Sequence, residues 1–140
     1  DYEQELKPLI KDQELGLMVW SPLGWGRLTG KIKRNQPMGE GRMKSGGAIG
    51  SPPVNDEVIY DVVDLLERIA TEMDKSIPQV AINWLLQNKT VSNIVIGARN
   101  EKQLIDNLDS VGWSLSSKAI EELNTITSPN LLYPHWVGRR

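Results

Sequence analysis

Cysteine is absent from the 140 residues, and histidine occurs once, as His135. Disulfides, thiolate metal sites and cysteine nucleophiles are therefore excluded from this sequence, and one imidazole leaves little for a metal site or an Asp–His dyad. No metal is expected. No apolar run approaches the roughly 20 residues of a membrane-spanning helix, and the first residues lack the charged-then-apolar pattern of a signal peptide. A cytoplasmic protein with no membrane role is the expectation. The formal net charge is only -2, which argues against a general affinity for nucleic acid. What is present, 39% hydrophobic and 24% charged residues, is the composition of one soluble globular domain.

Charge and glycine are unevenly spread. From Gly24 to Lys44 lie Arg27, Lys31, Lys33, Arg34, Arg42 and Lys44 against one acid, Glu40, so a local +5 sits inside a -7 background. Eight of the 12 glycines fall between Gly24 and Gly50, which lets the backbone of the same segment come close to a ligand. From composition alone this segment reads either as an anion-binding loop or as a solvated, disordered one.

Helices and short strands alternate along the rest of the chain. Residues 2–14 have helical spacing of Leu6, Leu9 and Ile10, ending before Gly16. Leu17–Trp20 (LMVW) is an apolar run of strand length, stopped by Ser21-Pro22. About 35 residues with no periodic pattern follow, up to Pro52-Pro53, a length that usually marks function or mobility. Asp56–Met73 is strongly amphipathic, with Val58, Ile59, Val62, Val63, Leu66, Ile69, Ala70 and Met73 at steps of three and four. Ser76-x-x-Gln79 is a capping box that opens a helix to Gln87, Val91–Ile96 is a second strand closed by Gly97, and Asn100-x-x-Gln103 starts a helix to Val111. Ser116 caps a last helix to Ile126, and residues 128–140 form a tail rich in Pro, Tyr and Trp.

Two apolar strands connected through helices imply parallel pairing, and parallel strands need cover on both faces. Two strands give about five helices too little sheet to pack on. The sequence therefore reads as part of a larger α/β body, with about two of the units that a closed eight-unit barrel of roughly 250 residues would need.

WSPLGWGRLTGK, Trp20–Lys31, nearly spells two phosphate-binding motifs. A P-loop fails because Trp25 stands where its first glycine belongs and Ile32 where its hydroxyl belongs; a dinucleotide fingerprint fails because Thr29 stands where the third glycine belongs. Both motifs also need a helix to begin at once, and no helical pattern appears before Asp56. What remains is an aromatic at a strand's end, Trp20, then a small hydroxyl, Ser21, a fixed turn and a basic glycine loop. At the C-terminal end of a barrel strand, Trp20 could stack on a flat ring while Ser21 and loop amides meet a pyrophosphate. From pattern alone Trp20 can also be a core tryptophan.

Four blocks, GLMVWSPLGWGRLTGK, SIPQVAINWLL, IVIGARNEKQLIDNL and GWSLSSKAIEEL, resemble in order and spacing the C-terminal part of the aldo-keto reductases, over nearly the whole chain. The branch with bacterial reductases and potassium-channel β subunits is the most similar. The resemblance implies a (β/α)8 barrel of which residues 1–140 are a C-terminal portion, with NADP(H) as cofactor and a small-molecule carbonyl compound as substrate. It implies that residues 24–53 form a loop covering the cofactor. Trp20 would stack on the nicotinamide, and Ser21, Leu23, Gly24, Gly26 and Lys31 would line the pyrophosphate side. Gly97 would let the second strand's end approach the ligand. Arg99 would meet the 2'-phosphate and the adenine face, Gln103 the phosphate or ribose edge, and Asp106 and Asn107 the adenine amino group. Read without the family, Gln103 completes a cap and Asp106 is a solvated helix residue. Arg42 would clamp the cofactor from the loop, or is a surface charge.

One departure bears on function. The family's Asp, Tyr, Lys and His tetrad lies on the earlier part of the barrel, and Tyr2, Tyr60 and Tyr133 match no motif of it. No catalytic residue is assigned in this chain. Tyr133, His135 and Trp136 would border the substrate mouth, or belong to a tail that covers the barrel rim. Two functions follow as expectations: part of an NADP-dependent carbonyl reductase, inactive by itself, or a non-catalytic cofactor-binding or regulatory module. The expected partners are the remaining N-terminal barrel portion or, through exposed strand edges, another copy of the chain.

Overall fold

The computed structural model describes residues 2–34 and 54–129. Most of the loop reading (35–53, with Arg42) and of the tail reading (130–140, with Tyr133, His135 and Trp136) lies outside the described residues. A π-helical turn, Tyr2–Leu6, leads into α1, Lys7–Asp12; then come β1, Leu17–Trp20, and a 3-10 segment, Gly24–Thr29. After the undescribed stretch follow α2, Asp56–Met73, α3, Ile77–Leu86, β2, Val91–Val95, α4, Glu101–Leu108, and α5, Ser117–Ile126.

β1 and β2 pair in parallel, with Met18 opposite Asn93, Val19 opposite Ile94 and Trp20 opposite Val95. An irregularity between Leu17 and Met18 shifts the register. Alternation along β1 turns Leu17 and Val19 toward the helices and leaves Met18 and Trp20 on the other face, exposed. Val95 is exposed too. One face of the sheet is thus open, and both strands end, at Trp20 and Val95, on the same side of the molecule.

The core lies mainly between helices. Val62, Leu66, Ile69 and Ala70 of α2 meet Val80 and Ala81 of α3 and Ala119 and Leu123 of α5, with Leu115 from the preceding turn. The three-and-four spacing that marks α2 as amphipathic supplies four of these nine side chains, although Val58, in the same spacing, stays exposed near the helix start. A buried amide ties the layers together: Asn83 Nδ2 donates to the carbonyls of Ser110 and Trp113, each at 2.9 Å. On the surface Arg68 bridges Glu72 of its own helix and Glu122 of α5, at 2.7 and 2.5 Å.

The caps explain where the helices start. Ser76 and Gln79 form the reciprocal capping box, Asn100 accepts from the backbone of Gln103, and Ser116 from that of Ala119. Several boundaries differ from the sequence expectation: the first helix ends at Asp12 and α3 at Leu86, each short of the expected residue. β2 ends at Val95 rather than Ile96, and α4 ends at Leu108 rather than Val111 because Asp109 and Ser110 already turn the chain. The stretch before Asp56 also holds the 3-10 segment, which no apolar period announces. Backbone positive φ angles make it: Gly24 at 55°, Trp25 at 60° and Gly26 at 94°, with Gly30 at 75° closing it.

Candidate functional site

The C-terminal ends of the two parallel strands face one cleft of about 660 Å³, within the 300–1,000 Å³ typical of small-molecule sites. One wall is built from the end of β1 and the turn after it: Trp20, Ser21, Leu23, Trp25, Gly26 and Lys31. A second wall comes from the end of β2 and from α4: Gly97, Arg99, Gln103, Asp106 and Asn107. The start of α3, Ser76 to Pro78, adds to the lining. Ten of the twelve residues singled out from the sequence therefore meet in one place. Gly24 lies in the turn behind the lining, and Arg42 is outside the described residues.

The turn after β1 is held tightly. Gly24 N donates to Ser21 O at 2.9 Å, Gly26 N to Leu23 O at 3.0 Å, and Thr29 Oγ1 to Gly26 O at 2.7 Å. The amides of Gly24 and Gly26 thus shape the turn itself. Gly30 is required by its φ of 75°, and it lies close against Ile77, the first residue of α3, whose Cδ1 an added Cβ would meet at 2.5 Å. Trp20 is 68% exposed, and its ring meets that of Trp25 edge-on at 5.4 Å.

Two of the segment's described cations are neutralised. Lys33 pairs with Glu67 at 2.5 Å, and Arg34 pairs with Glu57 and, at 2.6 Å, with Asp61, while its guanidinium lies over the Tyr60 ring. Hydrogen bonding to Glu57 raises the Arg34 pKa above its ordinary value, so the guanidinium stays charged. Lys31 and Arg99 are different: both are exposed, both line the cleft, and neither meets an acidic partner among the described residues. Among the segment's described cations, Lys33 and Arg34 are thus held by α2, and Lys31 lines the cleft.

On the second wall two polar residues have structural work. Asp106 accepts from Ser76 Oγ and from Gln79 Nε2, each at 3.0 Å, so its carboxylate sits at the N-terminus of α3, where a negative charge is favoured. Gln103 Oε1 accepts from the backbone N–H of Arg99 at 3.0 Å and fixes the strand-to-helix corner. Asn107 is 7% exposed, and among the described residues its carboxamide meets no hydrogen-bond partner although it borders the cleft. A carboxamide at the cleft border can offer a donor and an acceptor to a ligand. Sequence reasoning missed Trp25, Ser76, Ile77 and Pro78 as lining residues. The Ser76 capping box located a helix start, but nothing in its pattern said that the start would face the loop after β1.

Chemically, the cleft offers an exposed indole and Lys31 on one wall and, on the other, a carboxamide and a guanidinium without an acidic partner among the described residues. That suits an elongated anionic ligand with two flat rings, such as a dinucleotide. The Aldo/keto reductase family profile matches residues 1–128, and the chain belongs to that family. It is 32% identical over 111 residues to a probable voltage-gated potassium channel subunit beta of Oryza sativa subsp. japonica, covering 78% of this chain and 34% of that protein. It is 25% identical over 118 residues to L-glyceraldehyde 3-phosphate reductase of Escherichia coli, covering 82% of this chain and 34% of that one. Among solved structures, the glycerol dehydrogenase of Gluconobacter oxydans superposes with a TM-score of 0.66 at 25% identity, over 95% of this chain and 41% of the dehydrogenase. The chain thus spans about a third of the length of these curated relatives, and its two strands and their helices correspond to part of a TIM barrel.

Proposed function

We propose that this chain supplies the cofactor-binding half of an NADP(H)-dependent oxidoreductase that reduces aldehydes or ketones to alcohols, and that it carries none of the catalytic groups. The observation behind this reading is the single cleft that gathers Trp20 and Lys31 on one wall and Arg99 and Asn107 on the other. When bound, the cofactor would supply the hydride. Trp20 presents an aromatic face to the nicotinamide end, and Lys31 balances charge near the pyrophosphate. Arg99 can pair with the 2'-phosphate while its planar guanidinium stacks on adenine. Asn107 offers a donor and an acceptor to the adenine edge. Asp106 retains acceptor capacity beyond its two bonds to α3, since a carboxylate has about four lone-pair sites.

Two of the three tyrosines are spoken for. Tyr2 Oη bonds with Thr90 and accepts from Asn88 Nδ2, and Tyr60 lies beneath Arg34, so neither faces the cleft. This supports placing the proton donor on another part of the barrel. On the same reading the protein is cytoplasmic, the carbonyl substrate is bound largely by residues outside this chain, and the remaining barrel portion is its partner. The higher identity to the channel β subunits, 32% against 25% for the reductase, favours one second reading: a non-catalytic cofactor-binding or regulatory module.

A chimera separates the two. In it this chain replaces the matching final third of the Escherichia coli reductase. NADPH binding with carbonyl reduction supports the first reading, and NADPH binding without turnover the second. A folded chimera that binds no NADPH overturns both.

A further inference from the structure

Trp25 stands between two glycines in a stretch where three consecutive residues have positive φ, and it is the one of the three with a side chain to strain. Glycine would sit there without steric conflict, yet a tryptophan does. Strain of this kind persists where the surrounding structure fixes it, and here the turn's hydrogen bonds from Gly26 N to Leu23 O, Leu28 N to Leu23 O and Thr29 Oγ1 to Gly26 O do so. The strained backbone delivers the Trp25 ring to one neighbour. It meets the Trp20 ring at a centroid separation of 5.4 Å and an interplanar angle of 88°, the favoured edge-to-face arrangement.

Trp20 needs that support. At the end of an open sheet face its indole is 68% exposed, and among the described residues the Trp25 ring is its one aromatic contact. We infer that Trp25 is a positioning residue: its ring props Trp20 so that the exposed indole is pre-set to receive a flat heteroaromatic ring at the β1 end of the cleft. This rests on the proposed cofactor reading and deepens it, assigning the nicotinamide end of the site to a pair of rings rather than one. Pre-setting an otherwise mobile ring improves binding by removing an ordering cost. The effect is therefore local to that end and should leave the Arg99 end alone.

The test uses the full 140-residue chain and two probes at millimolar concentration, reduced nicotinamide mononucleotide and adenosine 2',5'-bisphosphate, followed by amide and indole NMR shifts. Trp25→Asn keeps a residue that tolerates positive φ while removing the ring, and Trp25→Phe keeps an aromatic. The expected result is about a fivefold loss of affinity for the nicotinamide probe in Trp25→Asn, the size of one aromatic pair contact. The adenosine probe should bind within about twofold of wild type, the melting temperature should not fall, and Trp25→Phe should recover most of the loss. Unchanged nicotinamide-probe affinity in Trp25→Asn overturns the inference, as does an equal loss for both probes, which would mean a merely structural role. If the wild-type chain binds neither probe, the cofactor reading fails first and takes the inference with it.

Discussion

At the scale of single residues, the division between ligand-facing and structural roles follows from who already has a partner. Lys33 and Arg34 are spent on α2, whereas Lys31 and Arg99 lack acidic partners among the described residues and border the cleft. Arg99 is the residue on which cofactor choice should turn. In the chimeric reductase, Arg99→Ala should weaken NADPH by about 10-fold or more, the value of a charge-assisted hydrogen bond, and NADH much less; comparing the two KM values checks it. Equal losses would remove the 2'-phosphate role. Which residues belong together was legible through the family resemblance of blocks such as WSPLGWGRLTGK and IVIGARNEKQLIDNL, whereas from the residues alone Trp20 could be core, Gln103 a cap and Asp106 a solvated helix residue. What each was bonded to was not legible. Asp106 showed its helical position in its spacing, but its two bonds to Ser76 and Gln79 cross 30 and 27 residues and depend on how α3 and α4 pack.

Among elements, the start of α3 joins the two walls. Its cap holds Asp106, its first residue lies close against Gly30 through Ile77, and its side chains add to the lining of the cleft. Ser76→Ala removes both the cap acceptor and a bond to Asp106. A loss of about 1–2 kcal/mol is expected, read as a lower denaturant midpoint in urea unfolding, with Ser76→Thr close to wild type. No loss would mean that the cap is dispensable. Elements were legible wherever periodicity or caps defined them: α2 spans Asp56–Met73, as its spacing predicts, and the Ser76, Asn100 and Ser116 caps are made. The 3-10 segment was not legible, because positive φ at three successive residues leaves no apolar period to read. The ends of β2 and α4 were overextended for a related reason, since Ile96 and Val111 are apolar but lie past the last residues of their elements, Val111 N bonding back to Leu108 O in a turn.

For the whole molecule, the two-stranded sheet covers itself with helices on one face and leaves Met18, Trp20 and Val95 open on the other. Leu104, Ile105, Leu108 and Val111 are also exposed on and after α4. So much uncovered apolar surface, in a chain matching a third of its relatives' length, is what a barrel portion presents when the neighbouring units are not beside it. The cleft proposed for the cofactor is nonetheless already outlined within this one chain. A supporting shell on one side only should leave it loose, so the isolated chain is expected to bind NADPH weakly. The most direct measurement of the central claim is an NADPH titration of the isotope-labelled chain, following backbone and side-chain NMR signals. The account predicts that Trp20 and Lys31 on one wall and Arg99 and Asn107 on the other shift along one common binding curve, while α5 does not respond. Shifts confined to one wall, or none at all up to millimolar NADPH, would contradict it.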